Sequence, residues 1–246
     1  RAHWRAYLFV GAAGLALPFV LIAHALTAID ASTAAILNAL SPLFAALVAA
    51  AWIGERITPA KAGGIALCLA GTAVLVGWTP APMSARELLA ASMSVAAAAI
   101  YGFTIVFTRV HLKGASPLGT AVATLLLAAL VLLPFVPADR DLAAVPAAAW
   151  LAAFGLAIVS TTVAFILYYR LIADVGPVKA ITVTLLVPVF GMLWGVALLG
   201  EPLTAGRLAG CGIILLGCAL ILGLLRLPPA LRRAAPGPRV SPDENG

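Results

Sequence analysis

Residues 34–58, AAILNALSPLFAALVAAAWIGERIT, and residues 180–204, AITVTLLVPVFGMLWGVALLGEPLT, are two versions of one segment. Each is an apolar run with a proline in its first half, closed by Gly-Glu, with a threonine three residues after the glutamate. The offset of 146 residues between them holds without a gap from Trp4 to Gly223. Trp4 meets Trp150, Pro42 meets Pro188, Phe44 meets Phe190, Glu55 meets Glu201 and Thr58 meets Thr204, while Gly64, Gly71 and Gly77 meet Gly210, Gly217 and Gly223. Runs of alanine and leucine align by chance. Tryptophan, proline and a Gly-Glu-x-x-Thr pattern in one register mark an internal repeat.

Around this repeat the composition admits one class of protein. Of 246 residues, 63% are hydrophobic and 10% charged, where a soluble domain carries about 25% charged residues; the mean hydropathy is +1.12. The apolar residues fall in unbroken runs rather than in alternation, which excludes a soluble core and a transmembrane β-barrel alike. A helix needs about 20 such residues to cross the hydrocarbon layer, because lipid offers no partner to an open backbone group. Eight runs meet the requirement: Tyr7 to Ala28, Ser32 to Ile53, Pro59 to Val76, Leu88 to Phe107, Pro117 to Val136, Ala147 to Tyr169, Pro177 to Leu199 and Ala205 to Leu225. The first is longer than the apolar core of a signal peptide, which reaches about 15 residues. The expected fold class is an all-α membrane protein, a polytopic helical bundle.

Fifteen Lys and Arg give a formal net charge of +6. Twelve of them fall on the side that holds both termini and three, Arg86, Arg140 and Arg207, on the other. Cytoplasmic loops collect such charge, so both ends are expected in the cytoplasm and the chain in the inner cell membrane. These residues lie in loops and a tail rather than on one basic face, which makes nucleic acid a poor reading. Cys68, Cys211 and Cys218 sit in apolar runs. The last two are separated by about 10 Å along one helix, too far for a disulfide, and all three read as small packing residues.

In the second copy two spans precede Trp150, whereas none precedes Trp4. Complete copies would have five spans each, so the expectation is a ten-span protein of which this chain carries eight; a natural eight-span protein is the alternative. Residues 1–78 form the last three spans of the first repeat, 79–225 the five spans of the second, and 226–246 a disordered cytoplasmic tail. Five is odd, so successive copies enter the membrane from opposite sides, and inverted repeats around a central site are the basis of alternating access.

The segment Ala34 to Gly71, with Pro42, the Gly54-Glu55-Arg56 span end and the glycine-rich span after it, resembles the closing portion of an EamA domain. Ala180 to Gly217, with Pro188 and Gly200-Glu201-Pro202, resembles the same portion of a second one. Up to about Leu225 the chain is similar to the ten-span EamA-like exporters of the drug/metabolite transporter superfamily. That resemblance implies a basket of ten helices around a central cavity, lined here by the spans beginning at Tyr7, Ser32, Leu88, Ala147 and Pro177.

Candidate residues follow from placement. His24 is the ionisable side chain inside a span, and such groups are functional by default or sit hydrogen-bonded near the membrane surface. Pro42 and Pro188 each remove a backbone bond in the membrane, making hinges or packing kinks. Beside them Asn38, Ser41 and Thr184 are cavity-lining candidates, as are Tyr101 and Thr104 on one helical stripe, Thr161 on another, and Trp194. Glu55 and Glu201 stand at opposite membrane faces. Each either stabilises a helix start or acts as a gate that pairs with a base, Arg56, Lys61 or Arg207. Gly64, Gly71, Gly206, Gly210 and Gly217 read as close-packing positions.

The expected function is a secondary transporter, an exporter of a small metabolite, amino acid or drug-like amphipathic solute by alternating access. A non-transporting scaffold or sensor and an inactive truncated copy are the alternatives. An intramembrane enzyme would need a motif such as HExxH or paired carboxylates at membrane depth, and the chain has neither. No cofactor or metal is called for. The expected partners are the solute, the lipid bilayer and a proton or other coupling ion, and the sequence does not set an oligomeric state.

Overall fold

The computed structural model describes residues 3–77, 83–135, 144–164, 167, 183 and 185–225, and all its regular elements are helical. Eight helical spans occur in the order the hydropathy gives. They are α1 (Trp4–Ala25), α2 (Ala31–Ile53), α3 (Pro59–Gly77), α4 (Ala85–His111) and α5 (Pro117–Leu132). Then come α6 (Ala147–Gly155, continuing as Leu156–Val163), α7 (Leu186–Leu199) and α8 (Ala205–Ile221). Five of the helices are long and apolar enough to cross a membrane on the described residues; the last three are apolar but shorter there. The protein is an all-α polytopic membrane protein.

The ends of the helices follow local chemistry. Thr58 and Thr204 cap α3 and α8, each hydroxyl accepting the N–H three residues on, at 3.3 Å in both copies. Ser116 caps α5 ahead of Pro117, whose missing N–H costs nothing in a first turn. Helix α4 begins three residues before the expected Leu88 and ends four after Phe107. Ser84 and Glu87 form a capping box that the hydropathy alone did not reveal: Glu87 N–H donates to the Ser84 hydroxyl at 3.3 Å, and Ser84 N–H to the Glu87 carboxylate at 2.7 Å.

Two irregularities lie inside the spans. Val10–Ala16 of α1 and Leu156–Val163 of α6 are π-helical, and the offset of 146 superposes their first residues. Helix α2 is broken at Ala39 and Leu40 into Ala31–Asn38 and Ser41–Ile53, with Pro42 in the first turn of the second piece. The expected mid-span kink is therefore an interruption of the helix.

Close packing is set by small residues. Helices α3 and α8 run antiparallel, Gly64 lying against Gly217 and Ile221, and Gly71 against Gly210 and Ile214. The offset converts the pair Gly64–Gly217 into Gly210–Gly71, so the contact maps onto itself when the copies are exchanged. Cys68 and its counterpart Ile214 sit between the two glycine contacts, the thiol 3.7 Å from the Ile214 carbonyl. Helix α4 packs between α1 and α2, α5 lies on the π-helical part of α1, and the first piece of α2 lies on α7.

A Cβ at Gly217 would stand 2.7 Å from both Cys68 Sγ and the Gly64 carbonyl oxygen, whereas one at Gly212 meets nothing within 4 Å. Gly217→Ala is expected to destabilise the bundle by about 1–3 kcal/mol. Gly212→Ala is expected to be neutral or stabilising by up to about 1 kcal/mol. Thermal unfolding of the two variants in detergent measures the difference.

Candidate functional site

The two Gly-Glu turns have one backbone geometry. Gly54 and Gly200 close α2 and α7 at φ +67° and +66°, a left-handed conformation open to glycine at little cost. The following N–H groups of Glu55 and Glu201 each donate 3.1 Å back, to the carbonyls of Ala49 and Gly195. From there the carboxylates part company. Glu201 is buried and accepts from Ala31 N–H at 2.7 Å, Ser32 N–H at 3.1 Å and the Ser32 hydroxyl, so it caps α2, a helix of the other copy. The helix start that the Glu201 carboxylate meets is a distant one rather than the next in sequence. Beside it the Arg207 guanidinium, 14% exposed, pairs with Asp30 and donates to the Pro202 carbonyl at 2.7 Å.

Glu55 stays within its own copy on one side and reaches the second on the other. It accepts from Lys61 Nζ at 2.5 Å and from Arg109 of α4 at 3.3 Å, and its side chain is 39% exposed. The Lys61 hydrogen bond, opposed only in part by desolvation, holds the carboxyl below the usual carboxylate range. Arg56, named from the sequence as a partner, makes no ion pair among those found between described residues. The turns lie at opposite ends of α2, since Glu201 meets its first residues and Glu55 follows its last. Its 23 residues span about 34 Å at 1.5 Å per residue.

The break in α2 frees two carbonyls, and both find donors. Pro42 has no N–H for the Asn38 carbonyl, which accepts from the Ser41 hydroxyl at 2.7 Å. Leu43 N–H turns to Leu40, and the Ala39 carbonyl accepts from the Cys218 thiol of α8 at 3.1 Å. Ser41, expected to line a cavity, thus serves the interrupted backbone. Cys218 is a donor as well as a packing residue. It lies 3.7 Å from Cys68 Sγ, a proximity no spacing revealed because it joins two copies.

Three buried polar atoms among the described residues have no hydrogen-bond partner: Asn38 Oδ1 at the break, and Ser94 Oγ and Thr104 Oγ1 on α4. Asn38 and Thr104 were candidates from their helical faces; Ser94 was missed, because nothing in the sequence separates it from Ser92, whose hydroxyl donates to the Leu89 carbonyl of its own helix. Tyr101, seven residues after Ser94, is half-buried on the same stripe. Gly14 of the π-helical segment packs directly on Thr104. Thr161 lies in the matched π-helical segment, its hydroxyl donating to the Leu156 carbonyl at 3.2 Å. His24 is exposed near the end of α1, its Nδ1 3.0 Å from the Val20 carbonyl of its own helix. Trp194 is 53% exposed, and Pro188 is fully buried. Thr184 lies outside the described residues. No group of three or more potential metal ligands occurs among those described.

A polytopic helical bundle whose two Gly-Glu turns sit at opposite ends of a broken span defines a class of membrane protein, and comparison with known proteins gives the family. The sequence profile of the EamA-like transporter family matches residues 1–77 and 88–223, and the chain belongs to that family. It is 28% identical over 199 residues to an uncharacterized transporter of Archaeoglobus fulgidus, covering 79% of this chain and 68% of that one. It is also 28% identical over 212 residues to a probable terminal-alkyne amino-acid exporter of Streptantibioticus cattleyicolor, covering 84% and 70% of the two chains. A protein crystal structure shares the fold with a TM-score of 0.60 at 24% identity, over 88% of this chain and 75% of that one.

Removing the two carboxylates separates their roles. Glu201→Gln, which leaves buried donors without a charge, is expected to cost about 2 kcal/mol. Glu55→Gln, at an exposed cluster, is expected to cost less than about 1 kcal/mol. The lowered Glu55 value means that its ion-pair contribution is present at neutral pH and is lost as the pH falls from 4.5 through the folded value. Melting curves in detergent between neutral and acid pH check all three, and Glu55→Gln should flatten the acid limb.

Proposed function

We propose that the chain is a secondary transporter of the inner cell membrane that exports a small amphipathic solute by alternating access. What carries this reading beyond family membership is the self-matching contact of α3 and α8. Antiparallel partners that exchange under the 146-residue offset support two copies inserted in opposite senses, 1–78 and 79–225, and inverted copies can trade conformations around a shared site. Of the fifteen Lys and Arg, twelve fall on the Glu55 side by span order and three, Arg86, Arg140 and Arg207, on the Glu201 side, which supports a cytoplasmic Glu55 face and cytoplasmic termini.

The solute we infer is an amino acid or a close relative of one. An unpartnered polar atom costs about 1–3 kcal/mol in a bundle interior. Asn38 Oδ1 offers an acceptor and the Ser94 hydroxyl a group of either sense, which a zwitterion with an apolar side chain would use; Thr104, about 15 Å along α4 from Ser94 and packed on Gly14, stands apart from that pair. The exporter from Streptantibioticus cattleyicolor, named for a terminal-alkyne amino acid, agrees with that chemistry. Tyr101 completes the lining on α4, and the break at Pro42, with Pro188 as its match, supplies the hinges. Transport rather than catalysis is the activity of this reading, coupled to a proton or another ion.

Inside-out membrane vesicles carrying the chain are expected to accumulate radiolabelled apolar amino acids, with and without an imposed proton gradient setting the coupling. Asn38→Leu should lower uptake at least tenfold at equal expression. Absence of uptake by the parent chain across such a panel would overturn the reading.

A further inference from the structure

We propose that the contact of Asp30, Ala31 and Ser32 with Glu201 and Arg207 is a latch holding one face of the bundle shut, and that Glu201 trades the start of α2 for Arg207 when that face opens. The proposal rests on the transporter reading and adds to it the residues that gate one side. Its basis is an inequality between matched positions. Glu55 and Glu201 share an offset of 146, as do Lys61 and Arg207, and both carboxylates leave turns of one backbone geometry. Yet Glu55 lies on Lys61 at 2.5 Å, while Glu201 turns from Arg207 to the backbone of α2, and Arg207 takes Asp30. The turn alone does not choose between these arrangements, because both glycines hold the same conformation. The protein holds one of each at opposite ends of α2. Alternating access moves one inverted copy against the other, so a contact between copies at one face is made in one state and broken in the other.

Packing beneath the latch is of the kind that opens as a unit. Gly195 of α7 has no room for a Cβ against Ser32 and the Glu201 carboxylate, and Gly191, one turn on, is equally close to Ala35. Small residues along this seam leave little interdigitation to undo, so the charge-assisted bonds at its mouth carry much of its closure. The two faces are also unequal in sequence. Asp30, Ala31 and Ser32 are matched by Gly176, Pro177 and Val178, which lack the carboxylate, the N–H and the hydroxyl that the latch uses. The Glu201 face is therefore the one closed at rest.

A reporter cysteine tests this without knowledge of the solute. Ile36→Cys lies one turn inside Ser32 on α2, at a position 0% exposed. A membrane-impermeant maleimide is applied to the full chain in right-side-out and in inside-out vesicles, with the chain lacking the reporter as background. The expected result is slow labelling in the parent, at least tenfold faster labelling from the Glu201 face in Glu201→Gln, and a smaller rise from the same face in Asp30→Asn. Asp30 is 43% exposed, so Asp30→Asn carries the test if Glu201→Gln does not accumulate. Unchanged labelling in the variants, or an equal rise from both faces, overturns the latch. Face-selective labelling in a chain that moves no amino acid supports the latch and overturns the transport reading alone.

Discussion

With no Cβ at Gly64, Gly71, Gly210 and Gly217, the backbones of α3 and α8 approach until the carbonyl oxygens of one helix lie within 2.6–3.0 Å of where a Cβ of the other would stand. In lipid, where apolar side chains gain nothing by leaving their surroundings, such contact is the principal attraction between helices. The seam also fixes where the thiol of Cys218 stands relative to α2, and so which carbonyl it can serve. The break in α2 belongs to Pro42 and the seam of α2 with α7 to Gly191 and Gly195; the contact of α3 with α8 is linked to them through the Cys218 thiol, which serves a carbonyl that the break opens.

The spans were legible in the sequence because lipid imposes a length and a composition that no tertiary contact overrides. The Gly-Glu turns and threonine caps were legible for a different reason: left-handed backbone and open N–H groups are local demands that particular residue types meet. The start of α4 lies three residues before Leu88, because Ser84 and Glu87 together spell a helix start that hydropathy does not register.

Partners across the repeat were not legible. Nothing near Glu201 says that its carboxylate goes to Ala31 and Ser32, and nothing near Cys68 says that it meets Cys218. These depend on how two copies dock, a property of the whole bundle. Ser41 shows the converse, a polar residue on a plausible cavity face whose hydroxyl is consumed by the carbonyl that Pro42 left open. A polar residue beside a membrane proline has to be tested against the backbone before it is assigned to a ligand.

The π-helical stretches have a geometric consequence for reading the chain. A wider turn advances fewer degrees per residue, so a helical wheel drawn at a constant 100° drifts out of phase beyond Ala16 and beyond Val163. His24, downstream of the first stretch, is exposed to the surroundings of the bundle. Shortening either stretch by one residue would restore the common pitch and re-aim everything after it, so azimuth along these two helices is stored in chain length as well as in side-chain identity.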